Sequence, residues 1–430
     1  MNDRESIVKY LIREGKIPDP ESIEQVRKEW NGEKDENEIK VLSEDPENFI
    51  GGNPLENFKK LFADRFTNIK SIITRKAGYA GVMDINYILN TDGEVRFVGI
   101  VDNVHETKYG FAIEFEDLSG SITGYCSRDF KTLPIKDDIV GVTGNFRAEK
   151  KTLQVRSIDY PNIDNYSKKE KVLDADTVIA MISDIHVGSK MFLEEKWNKL
   201  IEWINSNKDT PSKLKYILIA GDVVDGVGIY PDQNYDLLIL DIYEQYQKLS
   251  EYLKKIPENI KIVIIPGNHD IVRVAEPQPS LPKEVQSMFS GNIMFLPNPA
   301  YISIEGLKIL MYHGGSLNDI AELIPGMKYN VADRMMMELI KRRHLAPVYG
   351  NKVPIVPMSK DLMVIKEIPD LFITGHIHTY SANVFNGIEI VNASTWQAQT
   401  NYQKMLNFNP DPGKVAIKQL NKLGISTIEF

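Results

Sequence analysis

Five apolar segments in the second half of the sequence each end in side chains that can bind a metal ion. The segments are "TVIAMIS", "KYILIAG", "KIVIIPG", "LKILMY" and "DLFITG". The side chains that follow them are Asp184, His186, Asp222, Asn268, His269, His313, His376 and His378. Five imidazoles, two carboxylates and one amide form a mixed nitrogen and oxygen set. Such a set suits manganese, iron or zinc better than calcium.

The set is large enough for two ions that share one carboxylate. Two ions ~3.5–4 Å apart can clamp a phosphate and lower the pKa of a shared water, which then attacks phosphorus in line with the leaving oxygen. A single histidine after a strand is more often a packed or surface residue than a ligand. However, six of the seven histidines lie beyond residue 180, and five of these six follow a predicted strand. Packing alone does not explain this joint placement, so we predict a two-metal site.

The apolar segments are expected to be strands that are buried on both faces. Amphipathic helical stretches such as "EEKWNKLIEWINSN" and "LDIYEQYQKLSEYLKKI" separate the first three, which is typical of α/β architecture. The spacings from Asp184 to Asp222 and from Asp222 to Asn268 both suit a strand–helix–strand unit, which takes ~30 or more residues. Parallel strands joined in this way end at one edge of a sheet, where ligands bind. We therefore expect the eight side chains to meet in one cleft.

The rest of the chain divides into different kinds of segment. Residues 1–30 predict a small helical N-terminal segment, and residues 31–54 predict an acidic linker with few apolar side chains. Residues 55–165 predict a helix and then short strands broken by turn residues, which indicates a small β-barrel such as an OB-fold. Residues 170–430 hold the α/β domain. The predicted fold is thus multidomain: an OB-fold β-barrel followed by an α/β sandwich, with a small helical N-terminal segment.

Composition and charge exclude several classes of function. The 430 residues are 42% hydrophobic and 26% charged, as in an ordinary globular protein. The net charge of -9 gives no whole-protein attraction to nucleic acid, so contact with a polyanion needs a local basic patch or bound cations. The single cysteine, Cys126, excludes an intrachain disulfide and a Cys-based zinc site. Because the sequence has neither a signal-peptide pattern nor an apolar run of ~20 residues, we expect a cytoplasmic protein without membrane contact.

The five motifs, in this order, resemble the calcineurin-like metallophosphoesterase superfamily, whose pattern is D-x-H, GD, GNH[DE], H and GHxH. The resemblance implies a four-layer α/β sandwich. The implied ligands are Asp184, His186 and His378 for one ion, Asn268, His313 and His376 for the other, and Asp222 for both. It implies that His269 is the general acid or stabilises charge on the leaving oxygen. Asp225 and Asp270 have no implied metal role, and we expect them to orient imidazoles.

Longer stretches resemble the exonuclease (small) subunit of archaeal family D DNA polymerase. Among them are "GDVVDGVGIYPDQ", "AEPQPSLP", "RRHLAPVYG" and "WQAQTNYQKMLNFNPDPGK". The resemblance covers most of the chain from about residue 55. It implies a 3′→5′ proofreading exonuclease with two divalent ions, Mn²⁺ in the first place and Fe²⁺, Zn²⁺ or Mg²⁺ as alternatives. It also implies a large catalytic subunit as partner and a single-stranded or mismatched DNA 3′ end as substrate, and it leaves open whether a sliding clamp binds.

Three further residues are candidates for contact with DNA. The family pattern has a basic residue where Gly315 stands, so a phosphate contact is either missing here or supplied by another side chain such as Arg273. His344, in a basic stretch, would either meet the DNA backbone or lie at the end of a surface helix. Trp396 would either stack on a base or be structural.

Two other functions stay open on the sequence alone. The chain could be a non-catalytic assembly subunit that docks the polymerase chain, but the complete set of ligands argues against this. It could also be a free-standing phosphodiesterase or repair nuclease with the same motifs. The barrel before the phosphoesterase domain and the stretches around Gln278 and Trp396 argue against that alternative.

Overall fold

The computed structural model describes residues 20, 22–23, 39–76, 78–79, 81–130, 133–162, 171–173, 175–206 and 208–430. The helical segment predicted over residues 1–30 lies outside these residues, apart from positions 20 and 22–23. The strands are β1 Lys40–Val41, β2 Gly93–Thr107, β3 Gly110–Glu116, β4 Ser121–Ser127, β5 Ile139–Arg147, β6 Thr152–Asp159, β7 Val178–Ile182, β8 Leu214–Ala220, β9 Lys261–Ile265, β10 Ile293–Phe295, β11 Ala300–Ile304, β12 Leu307–Met311, β13 Leu371–Thr374, β14 Tyr380–Phe385, β15 Ile388–Ala393, β16 Lys414–Gln419 and β17 Ser426–Glu429. The α-helices are α1 Pro54–Thr74, α2 Ile85–Ile88, α3 Glu194–Ile204, α4 Asp209–Ser212, α5 Ile242–Leu253, α6 Lys283–Gln286, α7 Leu317–Leu323, α8 Ala332–Arg342 and α9 Asn401–Met405.

Strands β2 to β6 close into a five-stranded barrel in the order β2-β3-β4-β6-β5. Strand β4 pairs in parallel with β6, and the antiparallel pairing of β2 with β5 completes the closure. Three phenylalanines fill the interior, Phe97, Phe115 and Phe146. The small barrel that the short strands predict is therefore present. Its assignment as an OB-fold stays a prediction.

Helix α1 connects the barrel to the α/β part of the molecule. The Asn53 side chain caps its first turn by accepting backbone N–H groups, as a good N-cap residue does. One face of α1 packs against barrel strands β2 and β5 through Phe66, Ile69 and Ile73. On another face, Arg65 donates to Asp361 across 2.6 Å, and both side chains are buried. The helix thus holds the barrel against the α/β part.

The α/β part contains two six-stranded mixed sheets that pack face to face. Their strand orders are β1-β11-β12-β13-β15-β14 and β10-β9-β8-β7-β16-β17. In β7, Ile179 and Met181 face the other sheet, whereas Val178, Ala180 and Ile182 face helices α3 and α5. The outer face of the other sheet packs on α7 and α8 in the same way. Four layers result, and because both faces of the central strands are covered, those strands are apolar throughout.

The five apolar segments form β7, β8, β9, β12 and β13, as the sequence predicts. They do not share one sheet, however. Strands β7, β8 and β9 are parallel neighbours in one sheet, and β12 and β13 are parallel neighbours in the other. The first three therefore end at one edge of one sheet, as the spacing of Asp184, Asp222 and Asn268 predicts, and the last two belong to the facing sheet because the chain crosses between sheets from β10 to β11. The cleft lies where the carboxyl ends of two facing sheets meet.

Part of the predicted acidic linker packs on the α/β part. Lys40 and Val41 pair antiparallel with Ser303 and Ile302 of β11, and Pro46 is buried. This short strand extends the sheet of β11 and β12 at its edge. Among the described residues, no helix has the length and apolar character that crossing a membrane requires.

Candidate metal centre

The loops after five strands bring the predicted site residues together. The residues are Asp184 and His186 after β7, Asp222 after β8, Asn268 and His269 after β9, His313 after β12, and His376 and His378 after β13. Two groups of donor atoms form that share no residue, and each takes side chains from the loops of both sheets; a third group, His186 with Asp225 and His269, overlaps the first. The convergence on one cleft that the sequence predicts is therefore present in the structure.

The first group consists of Asp184, His186 and His378. Asp184 Oδ1 lies 3.2 Å from His378 Nε2 and 3.8 Å from His186 Nε2. The two imidazole Nε2 atoms are 3.1 Å apart. Two ring nitrogens at this distance need a proton or a cation between them. Donor atoms ~3 Å apart are also what an ion with bonds of ~2.0–2.2 Å requires of its ligands.

The second group contains Asp222, Asn268, His313 and His376. His313 Nε2 lies 3.2 Å from Asp222 Oδ2 and 3.1 Å from Asn268 Oδ1. His376 offers a ring nitrogen to the same place. Asp222 Oδ2 is also 3.9 Å from His186 Nε2 of the first group. Asp222 therefore lies between the groups, at the position of a shared carboxylate.

Hydrogen bonds at the far side of the rings fix the tautomers of these histidines. His313 Nδ1 lies 2.8 Å from the Ala220 carbonyl oxygen, which can only accept, so Nδ1 carries the proton. His186 Nδ1 lies 2.9 Å from Asp225 Oδ1 and donates to it. In both rings Nε2 is thus the nitrogen that can bind a metal ion.

Electrostatics in the two groups favour a cation. Asp184 Oδ1 is buried and has no hydrogen-bond partner among the described residues. Burial acts to raise the pKa of Asp184, but the neighbouring His378 holds it well below its usual range. Burial acts to lower the pKa of His313, but Asp222 beside it raises this pKa to about 10. A buried carboxylate oxygen without a partner among imidazoles fits a metal ion, which would replace those protons.

The backbone is left-handed at five of the predicted ligands. The positive φ angles lie between 50° and 67° at Asp184, His186, Asp222, His376 and His378. Such angles are uncommon for residues other than glycine and concentrate at functional sites. They turn the chain sharply after each strand, so the side chain points into the cleft.

Two glycines let the backbone approach the ligands closely. A Cβ atom on Gly375 would lie 1.9 Å from Ser183 Oγ and 2.3 Å from Asp184 Oδ2. A Cβ atom on Gly267 would lie 2.2 Å from Asp222 Oδ1. The positions of Gly375 in "TGH" and Gly267 in "PGN" therefore have no room for a larger side chain.

His269 lies beside both groups. Its backbone N–H donates to Asp222 Oδ1 across 2.8 Å, and its Nδ1 donates to the Asp225 carbonyl oxygen across 2.7 Å. Its Nε2 is 4.0 Å from Asp222 Oδ2 and faces the cleft. Burial lowers the pKa of His269, although Asp222 opposes this effect. The ring is placed to contact a group that is held between the two sets of ligands.

Asp225 and Asp270 differ in their contacts. Asp225 orients the His186 ring, as the sequence analysis expects. Asp270 instead accepts from the Tyr246 hydroxyl across 2.9 Å and from the Gly267 N–H across 2.8 Å, so it holds the loop rather than an imidazole.

Three amide side chains that support the site were missed by the sequence analysis. Gln397 donates to Asp225 Oδ1 across 2.8 Å, and the amide of Asn318 lies 2.8 Å from His376 Nε2. The amide nitrogen of Gln403 lies 3.0 Å from His378 Nδ1. Only the last had a sequence signal, because Thr400 and Gln403 form a capping box at the start of α9.

The three residues predicted to contact DNA lie outside the two groups. Arg273 is partly buried, pairs with Glu47 and donates to the Pro277 carbonyl oxygen. The structure places His344 at 1% exposure, with Nε2 3.0 Å from a carboxylate oxygen of Asp361. Trp396 has 0% exposure and packs edge-on against another tryptophan. Neither His344 nor Trp396 is accessible to DNA in this structure, because each fills the interior.

Comparisons by sequence find DNA polymerase subunits, and comparison with solved structures finds matches of low identity. Residues 179–383 match the family model for the B subunits of DNA polymerases alpha and epsilon. The DNA polymerase II small subunit of Thermoplasma acidophilum is 41% identical over 87% of this chain and 78% of its own length. That of Archaeoglobus fulgidus is 40% identical over 84% of this chain and 75% of its own length. Among solved structures, Vps29 from Cryptosporidium parvum is 15% identical, covers 60% of this chain and 99% of its own, and has a TM-score of 0.28.

Proposed function

The chain belongs to the family of archaeal DNA polymerase II small subunits, and from this membership we propose that it is the 3′→5′ proofreading exonuclease subunit of a family D DNA polymerase. It would hydrolyse DNA phosphodiesters with two divalent metal ions. Its partners would be the large catalytic subunit and a single-stranded or mismatched DNA 3′ end.

One observation carries the proposal: two buried sets of nitrogen and oxygen donors share Asp222 at the end of one cleft. Asp184, His186 and His378 would hold one ion. Asn268, His313 and His376 would hold the other. The donor types and the unpartnered Asp184 Oδ1 fit a divalent cation. The resemblance puts Mn²⁺ first, with Fe²⁺, Zn²⁺ or Mg²⁺ as alternatives.

Two bound ions would supply charge stabilisation for the phosphate and a nucleophile at neutral pH. The protein's own contribution is to orient the phosphate and to assist departure of the 3′ oxygen. His269 Nε2, which faces the cleft, would donate a proton to that oxygen or stabilise its charge. Asp225 would keep both His186 and His269 in position, because its carboxylate accepts from one ring and its carbonyl oxygen from the other.

The closed barrel would be an OB-fold that binds DNA or the large subunit, since this architecture serves either use. The buried contact of Arg65 with Asp361 supports a fixed position of the barrel on the α/β part. A rigid arrangement of this kind would present both parts to the polymerase together.

The decisive test is a nuclease assay on 3′- and 5′-labelled DNA with Mn²⁺, Mg²⁺, Fe²⁺ and Zn²⁺, with and without the large subunit. We expect loss of nucleotides from the 3′ end with at least one ion. Asp222→Asn keeps an oxygen for the His269 N–H but loses the shared negative charge, so activity should fall at least ~10³-fold. His269→Ala should lose ~10²- to 10⁴-fold, as expected for a general acid.

The matched control is His105→Ala, which removes an exposed histidine on strand β2 of the barrel and should leave the rate unchanged. Mn²⁺ should also increase the free energy of unfolding of the wild type, by ~2.7 kcal/mol at 100-fold excess over Kd, and should therefore raise its thermal midpoint. Mn²⁺ should not raise the thermal midpoint of Asp222→Asn. Intact 3′ labels with every ion, or full activity in Asp222→Asn, would contradict the proposal.

A further inference from the structure

The cleft that contains the two groups of ligands also carries a pair of stacked aromatic rings. The rings of Tyr230 and Tyr402 have centroids 5.3 Å apart and planes inclined by 20°. Both line a cavity of about 950 Å³ that His186, Asp222 and His378 line as well. Tyr402 is 43% exposed. An aromatic surface in the same cavity as a metal centre is therefore open to a ligand.

The tyrosine pair is held in place by a buried carboxylate. Asp236 accepts from the Tyr230 hydroxyl across 3.2 Å, and its other oxygen accepts from the Asn401 side chain across 3.1 Å. Asn401 directly precedes Tyr402 in helix α9. On the other side of Tyr402, Gln403 contacts the His378 ring. The position of the Tyr402 ring is thus tied to that of a metal ligand.

The cavity has too few positively charged side chains to bind many phosphates. Of the described residues that line it, Lys352 alone is a lysine or arginine. Its ammonium group already pairs with Glu322 across 2.8 Å and contacts the Tyr329 hydroxyl across 3.3 Å. Uncharged amides are common in the lining, for example Asn330 and Asn407. These groups suit the faces and edges of bases better than a row of phosphates.

The volume of the cavity is also informative. Pockets of ~300–1,000 Å³ hold whole small molecules, so a single phosphate would fill little of this one. The space beside the metal ligands is large enough for a nucleotide. An unpaired base has a free face, whereas a base inside a duplex is covered by its neighbours.

We propose that Tyr402, stacked on Tyr230, binds the base of the DNA 3′-terminal nucleotide, so that the cleft selects unpaired 3′ ends. This inference rests on the proposed exonuclease function. Stacking on an aromatic side chain tolerates every base, because each base has a π face. The stacking strength known for single-stranded DNA corresponds to ~5- to 150-fold in affinity.

The test compares two single-stranded oligonucleotides that differ only in the 3′-terminal nucleotide, which is either normal or abasic. We expect the wild type to show a KM at least ~5-fold lower for the normal end. Tyr402→Ala should abolish this difference by raising KM for the normal end, with kcat for both oligonucleotides little changed. Tyr402→Phe keeps the ring and should behave like the wild type.

The matched control is Tyr243→Ala. Tyr243 is 47% exposed on helix α5 and is outside the lining of the cavity. An unchanged preference for the normal end in Tyr402→Ala, or no preference in the wild type, would overturn the inference while leaving the exonuclease function intact.

If the wild type hydrolyses neither oligonucleotide, the proposed function fails and the inference is tested by binding alone. Fluorescence anisotropy then compares the affinities of the two oligonucleotides. A base-dependent affinity that Tyr402→Ala loses would support the inference, and equal affinities of the wild type for both would overturn it.

Discussion

Five of the predicted metal ligands have a left-handed backbone, and each such residue costs the folded state ~1–2 kcal/mol relative to an ordinary conformation. This cost is independent of the ligand role of the side chain. Asp184 and His378, for example, both have positive φ, and His378 Nε2 lies 3.2 Å from Asp184 Oδ1. The strain and the metal site are therefore two consequences of the same backbone geometry.

Backbone strain and the loss of a predicted ligand can be measured separately at His378, where φ is 55°. His378→Ala and His378→Gly should both lose the metal ligand, but glycine adopts positive φ without a steric penalty. We expect the glycine variant to be more stable than the alanine variant by ~1 kcal/mol. The measurement is the unfolding midpoint in denaturant with a chelator present.

The control is the same pair of substitutions at Tyr243, within helix α5. Tyr243 lies in the first turn of that helix, and alanine should be the more stable variant there by up to ~1 kcal/mol, because glycine is less favourable than alanine in a helix. An alanine variant at position 378 that is as stable as the glycine variant would show that the left-handed turn is not strained.

The side chains that meet in the cleft could be predicted from the sequence because motif and strand end coincide in "SDIH", "GNHD" and "GHIH". Their supporting partners could not. Gln397 and Asn318 reach the site only through the paths of distant loops, and no local spacing encodes those paths. Because the sequence does not encode the path of the loop, it also does not show that Trp396 is buried whereas Tyr402, six positions later, lines the cleft.

At the scale of elements, the strands and helices follow from periodicity, but their assignment to sheets does not. The segments that form β9 and β12 have the same apolar pattern, yet they lie in different sheets. Helix α1 likewise shows its apolar spacing in the sequence, whereas its buried Arg65 gives no sign of a partner at Asp361. Pairings across such distances are decided by packing of the whole chain.

The buried Arg65–Asp361 ion pair should stabilise the folded protein. Burial acts to raise the pKa of Asp361, but Arg65 and then His344 hold it well below its usual range. Arg65→Met would leave a buried carboxylate without its main partner, which costs ~3–5 kcal/mol. We expect this loss of stability in denaturant unfolding at neutral pH. The matched control is Arg75→Met, at the exposed end of the same helix.

The loss should depend on pH with a definite sign. Because the folded-state pKa of Asp361 is depressed, its stabilising contribution is complete above the unfolded pKa and is lost as the pH falls through the folded pKa. The difference between wild type and Arg65→Met should therefore be largest near neutral pH and should shrink in acid. A difference that does not change with pH would show that lost packing, not charge, is responsible.

At the scale of the whole molecule, a net charge of -9 and a cleft with one paired lysine leave bound cations as the main attraction for DNA. Base stacking and the negative overall charge both indicate binding with few contacts between basic side chains and phosphates. Both imply that few salt ions are released when the single strand enters the cleft.

The KM for a single-stranded oligonucleotide should therefore depend only weakly on salt concentration. The slope for single strands is ~0.7 per neutralised phosphate, so one contact gives about a threefold rise in KM between 50 and 200 mM salt, and three contacts give about twentyfold. We expect threefold or less for the isolated chain, and still less for Lys352→Ala, which removes the lysine of the cleft. A twentyfold rise that persists in Lys352→Ala would place DNA on a basic surface elsewhere, such as the barrel. If the rise appears only with the large subunit present, the additional phosphate contacts belong to that partner, and the small subunit contributes chiefly the metal centre and the stacking surface.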